Sequence, residues 1–258
     1  MNKDIKKIIN KKNKSKIVCL TAYSKNIASE VDKHADIVLV GDSLASVLYN
    51  FSTTRKVTLD NMISHAKSVR SGIKKSLMVV DMPYNTYKTN SQTLKNAKRI
   101  IIETKCDAVK LEGGKEIINQ IKFLVKNKIS VMGHLGILPQ TVKGKFKSKG
   151  RTVKEKNRLI NDAILLQKNG VFSIVLECVN TSTAKEITNR LKIPTIGIGA
   201  SVNCDGQVLV TDDLIGLNDT KIKFVKRFIN IKKYLNVGLK KFASEVKSKK
   251  FPSKKHSY

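Results

Sequence analysis

The most unusual short stretch of the sequence is VKLEGG at positions 109–114, where two opposite charges stand in an apolar setting. Lys110 and Glu112 lie two residues apart in a run with strand character, so both side chains point to the same face of the strand. An ammonium and a carboxylate on a face that should be buried need polar partners there. A purely structural Lys–Glu pair is one way to provide them, and that alternative stays open.

Four further polar side chains stand at the ends of apolar runs elsewhere in the chain. Asp42 and Asp81 end the second and third runs, and His134 and Glu177 end the fifth and sixth. A single aspartate after a strand is usually a turn former or a helix cap. Five consecutive strands that all end in such side chains instead indicate one shared polar site, because each charge would otherwise need separate compensation on burial.

Three of these side chains are carboxylates, and their convergence predicts a metal site. Asp42, Asp81 and Glu112 would repel one another and raise each other's pKa unless a cation lay between them. An oxygen-rich set with no cysteine suits a hard divalent ion, most simply Mg²⁺. Lys110 can then neutralise an anionic substrate bound at the metal.

The remaining two side chains are candidates for contact with that substrate. His134 lies between two glycines in GHLG, where a backbone can be approached closely, although core packing is the usual role of a lone histidine near an apolar strand. Glu177 is an acid inside the otherwise apolar run VLECV, and it suits a general base.

The elements that must position these residues repeat eight times along the chain. Each is a short, nearly continuous apolar run rich in β-branched residues, which is typical of strands covered on both faces of a parallel sheet. The runs are KIVCLTAY (16–23), DIVLVGD (36–42), SLMVVDMP (76–83), DAVKLEGG (107–114), ISVMGHLG (129–136), FSIVLECV (172–179), IPTIGIGA (193–200) and QVLVTDDLIG (207–216).

Segments with helical spacing separate most of the runs. Thr58 is the predicted N-cap of a helix that ends at Gly72. The other predicted helices are 91–105, 115–127, 154–168, 181–191 and 219–232. The connection at 201–206 is too short for a helix, and it is the weak point of the count because a parallel crossover usually needs a dozen residues or more.

Eight β–α units in about 250 residues predict an α/β fold, a (β/α)8 TIM barrel of one domain. A doubly wound open sheet is the alternative, but no GxGxxG motif follows an early strand. We place the barrel at 16–237, between a basic N-terminal segment at 1–15 and a basic C-terminal helix and tail at 238–258. Active sites of such barrels lie at the carboxyl ends of the strands, where the polar residues fall.

The formal net charge of +30 raises the question of nucleic-acid binding. Residues 1–16, 143–158 and 238–258 together carry +19 of it. Lysine far outnumbers arginine, and aromatic residues make up only 5% of the chain, so groups that would read or stack on bases are scarce. We expect no nucleic-acid partner and interpret the lysines as compositional drift.

Cysteine spacing and hydropathy bear on the compartment. The cysteines Cys19, Cys106, Cys178 and Cys204 are widely spaced without a CxxC pair, as expected of buried thiols in a reducing compartment. The first 16 residues lack an apolar signal core, and no apolar run reaches about 18 residues. We expect a cytoplasmic protein with no membrane partner.

Taken in order, the motifs resemble the 3-methyl-2-oxobutanoate (ketopantoate) hydroxymethyltransferase family. The resemblance runs from about residue 16 to the end, and the ordered set is far more specific than any single motif. The motifs are VGDSL (40–44), VDMPY (80–84), VKLEGG (109–114), GHLGILPQ (133–140), VLECV (175–179), IPTIGIGA (193–200), DGQVLV (205–210) and the terminal FPSKKHSY.

The resemblance implies a Mg²⁺-dependent barrel similar to the phosphoenolpyruvate/pyruvate superfamily, commonly a homo-oligomer of ten subunits. It implies transfer of a one-carbon unit from the co-substrate 5,10-methylenetetrahydrofolate to 3-methyl-2-oxobutanoate. The product would be 2-dehydropantoate, in the biosynthesis of pantothenate, a coenzyme A precursor.

The same resemblance implies a role for each matched residue. The implied metal ligands are Asp42, Asp81 and Glu112, the last directly or through water. The implied oxo-acid site comprises Asp42, Ser43, Asp81, Lys110 and His134, and Glu177 is the implied catalytic base. The loop TVKGKFKSKGR (141–151) departs from the family by being shorter and more basic, with Lys145 in place of a glycine.

Two rival functions remain at this point. One is a Mg²⁺-dependent oxo-acid lyase or aldolase that does not use folate. The other, from a different class, is a basic nucleic-acid-binding barrel without catalysis.

Overall fold

A computed structural model of the protein describes residues 3–141, 147–219 and 221–258. Eight parallel strands form a closed barrel in sequence order, and the eighth strand pairs with the first to complete it. The predicted (β/α)8 TIM barrel is therefore confirmed. The strands are β1 (Ile17–Thr21), β2 (Ile37–Val40), β3 (Leu77–Asp81), β4 (Ala108–Glu112), β5 (Val131–Gly136), β6 (Ser173–Glu177), β7 (Thr195–Ile198) and β8 (Gly206–Leu209).

Helices connect most of the strands, and further helices precede and follow the barrel in sequence. The α-helices are α1 (Lys3–Asn10), α2 (Lys25–Val31), α3 (Leu44–Val47), α4 (Leu59–Arg70), α5 (Asn90–Thr104), α6 (Ile118–Lys126), α7 (Val153–Lys168), α8 (Thr181–Arg190), α9 (Thr211–Leu214) and α10 (Ile231–Lys247). Short 3₁₀ turns cover Thr54–Lys56, Lys115–Ile117 and Lys254–His256.

Helix α4 shows how local sequence sets these boundaries. Thr58 accepts a hydrogen bond from the backbone of Asn61, and the Asn61 side chain bonds back to the Thr58 backbone, which forms a capping box. Four apolar side chains at helical spacing are buried on one face, namely Met62, Ile63, Ala66 and Val69. The predicted cap, buried face and end of this helix are confirmed.

The apolar core has two layers, one inside the barrel and one between the barrel and its helices. The inner layer includes Ile17, Ile37, Leu77 and Met132, all within a few per cent of complete burial. The outer layer joins alternate strand residues to the helix faces. Because both strand faces are covered in most of the barrel, the near-continuous apolar runs of the sequence are explained.

Helix α1 covers the amino-terminal end of the barrel. Ile5 and Ile8 are buried and belong to the inner apolar layer. Lys12, just after the helix, donates to the carbonyl of Thr188 and forms a buried ion pair with Asp205 at 2.8 Å. The basic N-terminal segment is therefore a structural cover for this end of the barrel.

The connection from β7 to β8 closes the barrel without a helix. Asp205, the last residue of this link, accepts hydrogen bonds from the backbone amide and the hydroxyl of Thr195. Its carbonyl accepts from the backbone of Ile17 at the start of β1. Gly206 lets the chains meet, because a Cβ there would lie 2.5 Å from the Ile17 carbonyl oxygen. The chain therefore does pass from β7 to β8 through a short link without a helix, and the eighth strand begins close to its predicted start.

Two predicted boundaries are wrong near the C-terminal end. The eighth run ends as a strand at Leu209, and part of its predicted extension forms α9. Of the predicted helix at 219–232, only Ile231 and Lys232 are helical, as the start of α10, and the described residues before them form no helix. The amides of Phe228 and Ile231 bond to the carbonyls of Leu214 and Ile215. Those amides are therefore not available for helical i to i−4 bonds.

The chain divides into two compact units, Met1–Val210 and Thr211–Tyr258. The first contains the complete barrel, and the second contains α9 and α10. The predicted domain limits of 16–237 and 238–258 stay predictions. In the part of the chain that the structure describes, no helix is both long and apolar enough to cross a membrane.

Candidate active site

The strand register brings the predicted polar residues together at the carboxyl ends of β2 to β6. Asp81 is level with Lys110 across β3 and β4, and Glu112 is level with His134 across β4 and β5. All four side chains are buried. Asp42 follows β2 by two residues, and its backbone amide donates to Asp81 Oδ2 at 3.0 Å.

Lys110 makes its ion pair with Asp81. Its Nζ lies 3.2 Å from Asp81 Oδ2 and 3.2 Å from His134 Nδ1, and the side chain is about 5% exposed. Burial lowers the pKa of Lys110, but the neighbouring carboxylates, Asp81 foremost, outweigh burial and raise it. The buried lysine is therefore a fixed positive charge within a cluster of acids, and not half of an isolated Lys110–Glu112 pair.

The acids of this cluster have shifted pKa values. Burial, followed by the charges of Glu112 and Asp81, raises the pKa of Asp42 to about 8. Burial also raises the pKa of Asp81, although Lys110 opposes the shift. The pKa of Glu112 is lowered, because His134 and Lys110 together outweigh its burial. Two of the three carboxyls thus lack enough positive charge nearby to ionise at their usual pH.

His134 lies between two carboxylates. Its Nδ1 is 3.4 Å from Glu112 Oε1, and its Nε2 is 3.3 Å from Glu177 Oε2. Burial and Lys110 lower the pKa of His134, but Glu112 and Glu177 outweigh them and raise it to about 9. Glu177 is the most accessible member of this group, since its side chain is 19% exposed.

Ser43 lies beside the cluster without joining its hydrogen bonds. Its side-chain hydroxyl pairs with the hydroxyl of Tyr23 at 2.7 Å. Gly41 leaves room for it, because a Cβ at that position would lie 2.9 Å from Ser43 Oγ. The hydroxyl is half-buried at the carboxyl end of β2, next to Asp42.

The structure adds one residue that sequence reasoning missed, Gln140. Its Nε2 donates to Asp42 Oδ2 at 2.8 Å and to the Met82 carbonyl at 3.0 Å. Its backbone amide donates to Glu112 Oε2 at 3.0 Å, and its Oε1 accepts from the hydroxyl of Tyr87. The only sequence signal was its place at the end of the motif GHLGILPQ, which follows β5 directly.

The donor chemistry of the cluster fits a hard cation. In the described ranges, no three acidic, histidine or cysteine side chains are arranged so that they could hold a metal ion together. However, Asp81 Oδ1 and Glu112 Oε1 are buried and form no hydrogen bond. Unpartnered buried oxygens are costly, and an ion bound by oxygen ligands would relieve that cost along with the mutual repulsion of the acids.

The free cysteines and the basic loop at 141–151 add little to the description of the site. All four cysteines are free, and burial raises the pKa of Cys19, Cys106 and Cys178, which makes those three thiols poor nucleophiles. Residues 142–146 of the basic loop at 141–151, which include Lys145, lie outside the described residues.

Comparison with known proteins agrees with this geometry. A family model for ketopantoate hydroxymethyltransferase matches residues 2–254. The chain is 65% identical, over the full length of both chains, to the 3-methyl-2-oxobutanoate hydroxymethyltransferase of Pelagibacter ubique (strain HTCC1062). It is 47% identical to the enzyme of that name from Rhizobium etli, over 94% of this chain and 90% of the relative.

A solved structure supports the fold independently of sequence. Phosphonopyruvate hydrolase in complex with oxalate and Mg²⁺ superposes with a TM-score of 0.62 over 98% of this chain and 93% of that one. Only 8% of the aligned residues are identical, so the likeness concerns the barrel alone. The match of the family model and the sequence identity to its named members show that the chain belongs to the ketopantoate hydroxymethyltransferase family.

Proposed function

We propose that the protein transfers a one-carbon unit from 5,10-methylenetetrahydrofolate to 3-methyl-2-oxobutanoate, where it becomes a hydroxymethyl group, giving 2-dehydropantoate for pantothenate biosynthesis. Family membership supports the reaction. The observation that carries the proposal is the convergence of Asp81, Lys110, Glu112, His134 and Glu177 at one end of the barrel. That set provides both charge for an anionic oxo acid and a base beside it.

Asp42, Asp81 and Glu112 are the residues that would hold Mg²⁺. The unpartnered oxygens of Asp81 and Glu112 support this assignment, as does the raised pKa of Asp42, which a bound cation would lower again. When bound, Mg²⁺ would act as a Lewis acid that polarises the oxo acid and orients it.

Lys110, His134 and Ser43 are the groups that would bind the oxo acid. Lys110 is buried and positively charged, so it can offset the substrate carboxylate and the charge that develops on the keto oxygen. His134 lies 3.2 Å from Lys110 Nζ and can donate from the same side. The Ser43 hydroxyl, beside Asp42, adds a neutral donor.

Glu177 is the base of the proposed reaction. It takes the proton from C3 of the oxo acid, which lies next to the polarised carbonyl and is therefore acidic. The electron pair left at C3 forms the new bond to the methylene carbon of the folate, whose carbon–nitrogen bonds break. Water supplies the hydroxyl oxygen, and tetrahydrofolate leaves. Glu177 suits this role because it is partly exposed and lies beside His134.

The remaining attributes of the proposal follow from the resemblance and the composition. We place the enzyme in the cytoplasm as a homo-oligomer, a decamer by resemblance, with no nucleic-acid or membrane partner. Sedimentation of the purified protein tests the assembly. Binding to duplex DNA that fell steeply with salt would instead favour the nucleic-acid rival.

The first experiment is to incubate the purified protein with 3-methyl-2-oxobutanoate, 5,10-methylenetetrahydrofolate and Mg²⁺, and to detect 2-dehydropantoate by mass spectrometry. We expect product that is lost when a chelator is added and restored by excess Mg²⁺. Reactions without folate are the control for the rival lyase. Cleavage of another oxo acid without folate, and no 2-dehydropantoate, would contradict the proposal.

A further inference from the structure

Gln140 bonds directly to two members of the acid cluster and to residues around them. Its Nε2 holds Asp42, and its backbone amide holds Glu112. Two of the three proposed ligands are thus attached to one residue, which is only 1% exposed. These bonds join points 98 and 28 residues apart in sequence.

The orientation of the Gln140 amide is fixed by its other partners. Nε2 faces two acceptors, Asp42 Oδ2 and the Met82 carbonyl, while Oε1 faces the hydroxyl of Tyr87 at 2.5 Å. A flipped amide would place Oε1 against both acceptors and break the two bonds to Asp42 and Met82, so only the observed orientation satisfies all three partners. Arg55 adds a bond from its Nε to the Gln140 carbonyl at 2.7 Å, which fixes the backbone as well.

We propose that Gln140 is a positioning residue, which holds the carboxylates of Asp42 and Glu112 apart and oriented for a divalent cation, and that Tyr87 locks it in that state. A neutral donor suits this task because it fixes a carboxylate oxygen without supplying the positive charge that would compete with the ion. Gln140 bonds to one oxygen of each carboxylate, Asp42 Oδ2 and Glu112 Oε2, and leaves the other oxygen of each free of Gln140. The inference rests on the function proposed above, and it concerns how tightly the cation binds.

The test measures Mg²⁺ binding to the substrate-free protein by titration calorimetry, alongside turnover at increasing Mg²⁺. We expect Gln140→Leu to weaken Mg²⁺ affinity about 10- to 100-fold, the usual effect of removing an outer partner of a metal ligand. Tyr87→Phe keeps the volume of the side chain and should weaken affinity less, in the same direction. Excess Mg²⁺ should restore most of the turnover of both variants.

Gln167→Leu is the matched control, because Gln167 lies on α7 and its side-chain oxygen accepts from the amides of Lys192 and Ile193, which precede β7. Its Mg²⁺ affinity should equal that of the wild type. A double variant, Gln140→Leu with Tyr87→Phe, should bind Mg²⁺ no more weakly than Gln140→Leu alone, because Tyr87 acts through Gln140.

The outcomes distinguish failure of the positioning role of Gln140 from failure of the proposed function. Unchanged Mg²⁺ affinity in a folded Gln140→Leu protein would overturn the positioning role while the proposed function stands. If that variant does not fold, unchanged affinity in Tyr87→Phe overturns the locking of Gln140 on which the proposal depends. A wild-type protein that neither binds Mg²⁺ nor forms product would overturn the proposed function, and this inference with it.

Discussion

At the scale of single residues, the site is a set of charges whose pKa values are shifted by burial and by one another. Asp42 and Asp81 are disfavoured as anions, while Lys110 is favoured as a cation. Groups perturbed in this way by specific charged neighbours are typical of functional sites. Glu177 and Asp81 are the two residues whose proposed roles differ most clearly, so they give the sharpest single-residue predictions.

Glu177→Gln should reduce turnover by about 10²- to 10⁴-fold, the usual contribution of a general base. Binding of Mg²⁺ and of the oxo acid should persist, because Gln keeps the size of the side chain. Loss of deuterium exchange at C3 of the oxo acid in heavy water, measured by NMR without folate, isolates the proton transfer. Glu186→Gln on α8 is the control. Exchange at the wild-type rate in Glu177→Gln would remove the residue from the base role.

Asp81→Ala should weaken Mg²⁺ binding and raise the Mg²⁺ concentration needed for half-maximal turnover by at least about tenfold. It removes a proposed ligand and also the ion-pair partner of Lys110. Calorimetry and Mg²⁺-dependent assays measure the effect. The exposed Asp60→Ala is the control, since Asp60 pairs with Arg99 at the surface. An unchanged Mg²⁺ requirement would count against Asp81 as a ligand.

Residue type together with strand-end position was enough to predict which six titratable side chains converge at this end of the barrel. Gln140 could not be predicted in this way, because a single glutamine after a strand has no distinctive chemistry or spacing. Its importance comes from contacts with Asp42 and Glu112 that only the closed barrel creates. The pairing of Lys110 with Asp81 likewise depends on strand register, which the sequence does not specify.

At the scale of elements, the close approach of β5 and β6 positions the proposed base. Gly136 ends β5 with a φ of +104°, and the amide of Ile137 bonds to the carbonyl of Glu177. A Cβ on Gly136 would lie 2.1 Å from that carbonyl oxygen and 2.7 Å from Val179 Cγ2. The backbone that carries Glu177 therefore depends on the absence of a side chain on the neighbouring strand.

Gly136→Ala should lower the free energy of unfolding by about 1–3 kcal/mol, because the backbone conformation is strained for alanine, and the clash adds to that. Turnover should fall as well, since relief of the clash displaces Glu177. Chemical denaturation and the product assay measure the two effects. The control is Gly238→Ala in α10, where a Cβ would meet nothing within 4 Å and should be neutral or stabilising. Unchanged turnover in Gly136→Ala would show that the position of Glu177 does not depend on a glycine at 136.

Asp32, at the end of α2, organises the turn before β3. Its carboxylate accepts from the backbone amides of Lys74, Lys75 and Ser76, and these bonds lower its pKa despite the opposing effect of burial. A lowered folded-state pKa means that the stabilisation is present above the unfolded pKa of about 4 and is lost as pH falls through the folded value.

Asp32→Asn should therefore destabilise the protein by about 2 kcal/mol at pH 7, because one amide loses its acceptor and the others lose a charged one. The difference from the wild type should shrink below about pH 4. Urea unfolding across pH 3–7 measures it, with the exposed Asp60→Asn as control. A difference that stayed constant with pH would show that charge is not the cause.

Apolar periodicity predicted the strands well because both faces of most strands are buried, so each run is long and unambiguous. It failed at 219–232, where the described residues before Ile231 have apolar positions at helical spacing but form no helix. The amides of Phe228 and Ile231 bond to Leu214 and Ile215 instead. Such medium-range backbone bonds have no counterpart in periodicity, so this error could not be avoided from the sequence.

At the scale of the whole molecule, the two ends of the described barrel differ: one carries the acid cluster, and the other is closed by packing and a buried ion pair. The acid cluster lies at the carboxyl ends of the strands, whereas α1 and the Lys12–Asp205 pair close the amino ends. Counting eight β–α units predicted the barrel. Closure of the barrel through the short β7–β8 link could not be predicted, because it depends on Asp205 accepting hydrogen bonds from both Thr195 and Lys12.

Lys12→Met should lower the free energy of unfolding by about 3–5 kcal/mol, because it leaves Asp205 buried without its ion-pair partner. Mg²⁺ affinity should stay at the wild-type value, since the substitution lies at the opposite end of the barrel. Denaturation and calorimetry measure the two quantities. Lys7→Met, which removes an exposed pair with Asp4, should cost less than about 1 kcal/mol. Weakened Mg²⁺ binding in folded Lys12→Met would show that the two ends of the barrel are not independent.

The position of α1 has a practical consequence for handling the protein. Because this helix seals the amino ends of the strands, a linker joined ahead of it leaves the barrel on the side away from the acid cluster. Protein attached to a sensor chip through such a linker would present the end of the barrel that carries the acid cluster to the flowing solution. Surface-based screening of oxo acids and folate analogues should therefore use this attachment, with surface lysine coupling avoided because the lysines are spread around the whole chain.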